Sequence, residues 1–233
     1  LAFPSLNRNF AAEKEKKMKK LLIQIVACVA MSFLAFGCGG DGKCHIHGTI
    51  SNQYDGKRIF LKPFGGPATS ENVDSVVIRD GKFEFVSDTT KMKVILLDYH
   101  FRMGVEQLLV VTEAGDLQVE IGVDSRSSGT PQNDSLQQWK VRKHIYDQQF
   151  PPMKQEVERL RKAGQTAKAD SLEEQAKSIR IAFNRYSRRM AENVGAGPLR
   201  DFLSSMFPLT YKRQMPDSTY VEYDFDTHEP IGK

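Results

Sequence analysis

The sequence predicts an α+β protein: a small antiparallel β-sandwich of about seven strands followed by a helical hairpin, after an N-terminal signal helix. Three observations predict it. Residues 44–122 alternate short β-branched or aromatic runs with turn residues, residues 136–190 carry apolar side chains at helical steps, and residues 21–36 form an almost unbroken apolar run behind a lysine pair. Composition agrees with a folded chain: of 233 residues, 40% are hydrophobic and 27% charged, with 14 Phe, 7 Tyr, 1 Trp and only 3 Cys, which excludes a disulfide scaffold and wholesale disorder.

The first element is the leader. Met18-Lys19-Lys20, the apolar run 21–36, and then Gly37-Cys38-Gly39-Gly40-Asp41 follow the charged, apolar and small-residue order of a secretory signal. As a helix that run spans roughly 24 Å, short of the roughly 30 Å hydrocarbon core, which favours a cleaved leader over a permanent transmembrane helix. Met18 reads as the true start, with residues 1–17 an upstream extension. The junction at Gly37-Cys38 resembles the lipobox of bacterial lipoproteins, although Ala35 and Phe36 depart from its commonest pattern. That resemblance implies lipidation at Cys38, export, and anchoring in the bacterial cell envelope at the outer membrane, with membrane lipid as the partner. Residues 38–43 become a short tether. Each buried CH₂ contributes about 0.8 kcal/mol, so two or three acyl chains hold such a protein without help from its surface.

Cysteine and charge arithmetic follow from the leader. Cys28 lies within it and Cys38 is consumed by lipid, so Cys44 is the one free thiol of the expected mature chain; alternating with Ile46 and Ile50, it reads as a small buried hydrophobe. The net charge of +4 resides in residues 1–37, which hold six Lys or Arg against two Glu and leave 27 of each sign from Cys38 onward. A neutral mature chain gives no footprint for nucleic acid.

Seven strands are expected at 44–50, 58–64, 73–79, 82–86, 92–99, 107–112 and 117–122, inside a sandwich domain at 44–134. Asp80-Gly81 joins two of them and favours the positive φ angles of a two-residue hairpin, while Phe83 and Phe85 alternate with Lys82 and Glu84 to give one buried and one wet face. Ile46-His47-Gly48-Thr49-Ile50, Ile59-Phe60-Leu61-Lys62 and the run from Val73 to Phe85, then Glu113-Ala114-Gly115-Asp116-Leu117 and Ser128-Gly129-Thr130-Pro131-Gln132-Asn133-Asp134, resemble one known family. It is the domain of unknown function that precedes the thioredoxin-like module in thiol:disulfide interchange lipoproteins of Bacteroidota. The resemblance covers about 44–138 and implies redox chemistry only through a Cys-X-X-Cys motif in the second module, which this sequence lacks.

A helical hairpin and a short third helix are expected over 135–207. Leu136, Trp139, Tyr146, Phe150, Met153, Val157 and Leu160 form one stripe, and Leu172, Ala176, Ile179, Phe183, Tyr186 and Met190 a second, with Ala163-Gly164-Gln165 as the turn. Trp139 and Phe183 are expected at the seam. Pro151-Pro152 predicts a kink or break near Phe150, because two amide donors are missing. Residues 208–233 read as a tail.

Chemistry is hard to find. His45 and His47 lie on one strand face, but no third ligand stands at suitable spacing, so no metal site is assigned. Gly65-Gly66-Pro67 reads as a turn. Arg180, Arg185, Arg188, Arg189 and Lys177 read as a solvated helix face, with anionic lipid heads as the functional alternative. No catalytic or cofactor-binding residue and no cofactor is assigned. Asp-Ser or Asp-Thr before an apolar residue or Thr looks like the O-glycosylation site of Bacteroidota envelopes, making Ser75, Thr89, Ser135, Ser171 and Ser218 candidates. The expectation is a non-enzymatic binding or accessory module of the cell envelope, able to meet a second copy or another envelope protein through the helical hairpin. The alternative is a truncated thiol:disulfide oxidoreductase without its thioredoxin-like domain.

Overall fold

The computed structural model describes residues 41–65, 67, 69, 71–97 and 107–231. From Gly42 onward the described part belongs to one compact unit. The signal helix, Cys28 and Cys38 lie outside the described residues, as do residues 98 and 99 of the fifth expected strand.

Eight strands build two sheets. Strands β1 (Cys44–Thr49), β4 (Lys82–Ser87), β7 (Gly115–Glu120) and β8 (Arg126–Ser128) form the first, in the order β4-β1-β7-β8. Strands β2 (Arg58–Pro63), β3 (Asp74–Val77), β5 (Met92–Leu96) and β6 (Gln107–Val111) form the second, in the order β3-β2-β5-β6. All pairs are antiparallel except β1 with β7, which run parallel because the chain passes through the whole second sheet between them. The sandwich is thus antiparallel with one parallel exception. Its core takes Cys44, Ile46, Phe83, Phe85, Leu117 and Val119 from the first sheet and Ile59, Leu61, Ile95, Leu108 and Val110 from the second. At Gly48 an added Cβ would fall 2.0 Å from the Phe83 ring, so the ring lies directly on backbone there.

The Asp80-Gly81 turn forms as expected, with φ of 50° and 65° and Arg79 and Lys82 exchanging both backbone hydrogen bonds at 3.0 and 2.9 Å. It does more than close a hairpin. The strand before it belongs to the second sheet and the strand after it to the first, so this turn is a corner of the sandwich.

Helices α1 (Pro131–Lys162), α2 (Thr166–Asn193) and α3 (Pro198–Met206) follow. Their core joins Leu136, Trp139, Phe183, Leu199 and Leu203 to Val111, with Met92 and Leu109 packed against it. The second sheet therefore has the first sheet on one face and helices on the other, which explains its continuous rather than alternating apolar runs. Trp139 and Phe183 do meet, with ring centroids 6.1 Å apart, and the Trp139 Nε1–H donates to Ser187 Oγ at 3.0 Å. Gly164, at φ 72°, reverses the chain between α1 and α2.

Two sequence expectations are corrected. Of the kink or break expected near Phe150, the break does not occur: helix α1 runs continuously through Pro151-Pro152. The carbonyls deprived of donors belong to Asp147 and Gln148, which are exposed residues where solvent can replace the missing donors, while Tyr146 stacked on Phe183 at 4.5 Å and buried Val157 and Leu160 hold the flanking turns. Residues 208–233 are no loose tail: β9 (Thr210–Gln214) and β10 (Tyr220–Asp224) form a hairpin. Buried Asp226, just beyond it, accepts from Asn184 Nδ2 at 2.9 Å and from Arg188, and Arg180 donates to the Asp226 carbonyl at 2.7 Å. Arg180 and Arg188 thus clamp this hairpin to α2, while Arg185 and Arg189 remain exposed.

Lys140 is a half-buried cation in this assembly. Its Nζ lies 3.4 Å from both the Leu109 carbonyl and Ser127 Oγ, and burial pushes its ammonium down to about 8. The charged form is therefore penalised in the fold; the penalty is full below about pH 8 and fades as pH climbs toward the unfolded value near 10.5. Lys140→Met, which keeps the stem, should stabilise the protein by about 1–3 kcal/mol near pH 7 and by almost nothing near pH 10.5. Urea melts of both proteins at the two pH values test this, and a pH-independent difference would contradict it.

Candidate functional site

A groove of about 1100 Å³ opens where the second sheet, the β4–β5 turn and α3 meet. Each wall has a local cause. Strand β2 ends at Pro63, leaving Phe64 exposed at the rim, and α3 begins at Pro198 and carries Phe202 to the floor, where the two rings meet edge to face with centroids 5.4 Å apart. The β4–β5 turn is fastened rather than loose: the Thr112 hydroxyl lies 2.5 Å from the Thr89 carbonyl and accepts from Lys91 N at 3.1 Å, and Ser87 Oγ donates to Thr89 O at 3.2 Å.

The groove mixes signs. Lys43, Lys91 and Lys93 line it, as do Glu71, Asp74, Asp88 and Asp201. Lys93 is 7% exposed, with its Nζ 4.0 Å from Asp74 Oδ2. The chemistry on offer is an aromatic edge beside spaced opposite charges, suited to a zwitterionic or peptide-like ligand. No run of sequence announces it, because its walls come from residues 43 to 205 and none carries a motif.

The sequence-derived candidates fall elsewhere or on the rim. Thr89 is an exposed residue of the groove's turn, and Ser75 lies on edge strand β3, accepting from Arg58 Nη1 at 2.7 Å. Ser135 donates to the Pro131 carbonyl at 2.9 Å in the first turns of α1, Ser171 is exposed on α2, and Ser218, at φ 66°, is exposed in the β9–β10 turn. The structure does not bring these five together.

His45 and His47 point away from the core on β1. Strand pairing sets Glu84 beside His47 and Asp116 beside His45, and His47 has Nδ1 3.5 Å from Glu84 Oε1 and Nε2 3.5 Å from Asp116 Oδ1. Sequence reasoning missed both carboxylates because they arrive from strands remote in the chain. Among the described residues, no group of three or more His, Cys, Asp or Glu side chains is arranged to hold a metal ion.

Cys44 is buried, and burial first, then the neighbouring Glu113 charge, raise its thiol to about 11, with Lys93 opposing. At neutral pH its thiolate fraction is on the order of one in ten thousand. Iodoacetamide near pH 7 should leave native Cys44 unmodified over hours and alkylate it rapidly in concentrated urea. Equal rates in the two conditions would refute the buried, inert assignment.

No helix among the described residues is long and apolar enough to cross a membrane. No curated protein and no solved structure matches the chain. Residues 44–136, from β1 into the first turns of α1, match a family described as a domain of unknown function (DUF4369).

Proposed function

We propose that this chain is an exported, lipid-anchored protein of the bacterial cell envelope whose folded part is a non-enzymatic binding or accessory module working through the groove. The observation that carries the reading is the groove itself: an open, mixed-charge trough with a buried lysine in its wall and a fastened turn at its rim. The leader and the Gly37-Cys38 junction support the anchor. Lys43, which lines the groove, is five residues after Cys38, no more than about 18 Å of extended chain. An anchored chain therefore presents the groove close to the headgroup layer.

The redox alternative has little support in the described residues, since their one cysteine, Cys44, is buried and poorly ionised and a two-cysteine cycle needs a second thiol. Contact with a second copy, or with another envelope protein, belongs to the same reading: α1 leaves Val141 and Ile145 exposed at 55% and 40%, one turn apart.

Three measurements test these proposals. Intact mass of the native protein should report cleavage before Cys38, its acyl chains, and any glycans on Ser75, Thr89, Ser135, Ser171 or Ser218; Cys38→Ser should leave the membrane fraction or retain the leader, and a mass explained by polypeptide plus lipid alone would remove the glycans. A photocrosslinking residue at Ser205, in the groove, should give discrete adducts in intact cells that Lys93→Met abolishes, while the same residue at Lys168, on the hairpin tip, gives none. Adducts unaffected by Lys93→Met would dismiss the groove. Sedimentation should show a concentration-dependent dimer that Val141→Asp dissociates, and a single monomeric species at high micromolar concentration would end the self-association proposal.

A further inference from the structure

Strand β5 places a lysine where a strand normally buries an apolar side chain. Period-2 alternation puts Lys93 on the inward face with Ile95, and the registers set it across from Pro63 on β2 and Val110 on β6. The residue is 7% exposed and yet lines the groove, so the stem is withdrawn from water while the ammonium emerges at the mouth of the sandwich. Among the described residues its counter-charge is Asp74, with Oδ2 4.0 Å away. That is beyond the roughly 2.7–2.9 Å of a charge-assisted hydrogen bond. The Asp74 side chain is 57% exposed against 9% for Lys93, so the acid keeps its water while the lysine has lost most of its own. A desolvated ammonium with a distant partner gains more from a carboxylate at contact distance than an exposed charge does.

The remainder of the groove narrows the ligand. The Phe64 ring, on a residue 47% exposed, meets Phe202 edge to face, and Phe202 meets Trp139 in the same way with centroids 5.7 Å apart. A further ring or branched aliphatic group extends that cluster at Phe64. Around the rim the exposed acids Glu71, Asp74, Asp88 and Asp201 outnumber the exposed lysines Lys43 and Lys91. The pattern is a deep cation, an apolar shelf and an acidic rim. The complementary ligand sends an anion in first, carries an apolar group beside it and a cation further out. The C-terminal end of a peptide supplies all three along one chain, and an open trough admits it extended. A phosphoethanolamine headgroup fits less well, because its ammonium is the outermost tip and enters first, against the charge of Lys93.

We propose that the groove binds the C-terminal end of a peptide, with its free carboxylate on Lys93, its last, apolar side chain against Phe64 and Phe202, and a basic residue upstream facing the acidic rim. The inference rests on the groove being the working site, as proposed above. Crosslinking from Ser205 asks whether the groove is occupied; the separate question is which chemical group Lys93 holds.

The test titrates the full 233-residue chain, in a maltoside detergent, with acetyl-Lys-Ala-Phe ending in a free carboxylate and with the same peptide ending in an amide. Trp139 is the one tryptophan of the chain and touches Phe202, so its emission reports binding, with calorimetry as a second reading. The free carboxylate should bind with a Kd of about 100 μM or tighter, and the amide about tenfold or more weakly. Lys93→Met, which keeps the stem, should bring the two peptides to within about twofold of each other. Phe64→Ala should weaken both by a similar factor of about three or more and leave their ratio unchanged. Lys168→Met, on the hairpin tip, should bind as the parent does. Circular-dichroism melts confirm that each variant is folded, and if Lys93→Met is not, the comparison of the two peptides on the parent decides alone. Equal affinities for the two peptides, no binding of either, or a preference that survives Lys93→Met overturns the proposal, even where Ser205 adducts show the groove occupied. Binding of dihexanoyl phosphatidylethanolamine through Lys93 in place of the peptide would assign the groove to a lipid headgroup and overturn it equally.

Discussion

The rest of the structure depends on one side-chain amide. Asn133, fully buried, accepts from Val111 N at 2.9 Å and donates to Val111 O at 2.7 Å, so that it pairs with the edge of β6 as a further strand would; the same Nδ2 donates to Thr130 Oγ1 at 2.7 Å. Leaving such buried backbone groups unpaired costs about 1–3 kcal/mol each. The pairing fixes the start of α1 on the second sheet. Its neighbours extend the join: Gln132 donates through its backbone N to Glu113 Oε1 at 2.6 Å and accepts from Leu199 N at 3.1 Å, and Asp134 accepts from Gly129 N at 3.0 Å. One short segment, from Gly129 to Asp134, thereby sets the sandwich, the hairpin and the third helix in register. Trp139 then reaches Phe183, Phe202 and Phe207, and α3 arrives at the wall of the groove.

What the sequence discloses is what local physics decides. The seven expected strands and both long helices appear because their side chains follow one period over several residues, and the Asp80-Gly81 turn because its two residues accept positive φ. The Ser128-to-Asp134 segment is visible as a resemblance, yet its purpose is not, since Asn133 acts on a strand 22 residues away. Strand β8 escapes because only Ser127 of its three residues is buried, and β9 and β10 because they are short, mostly polar and bury none of their residues fully. Arg180 and Arg188 look like solvated cations until Asp226 is folded against them. The groove and the histidine face are the least legible, because residue pairs such as Phe64 with Phe202, or His47 with Asp116, meet only through tertiary pairing.

The two lysines inside the fold show how placement rather than residue type decides the role. Lys93 shares the inward face of β5 with Ile95 and leads from the sandwich core to the groove, where Asp74 offsets its charge. Lys140 reaches between α1 and the sheets toward a carbonyl and a hydroxyl, and its shift arises from lost hydration alone. A charge opening onto a groove remains available to a ligand; one half-buried beside neutral dipoles, with no counter-charge, works against the fold.

The position of β1 has a mechanical meaning. The first strand of the folded unit is also a central one, laced to β4 on one side and to β7 on the other, and the β7 ladder begins with Gly115 N donating to the Lys43 carbonyl at 2.9 Å. A pull on the chain at residue 43 acts along the strand axis, so both ladders resist it together in shear rather than opening bond by bond like a zipper. The amino end is thus a handle at which two ladders share the load, and a tether attached there passes tension directly into the middle of a sheet.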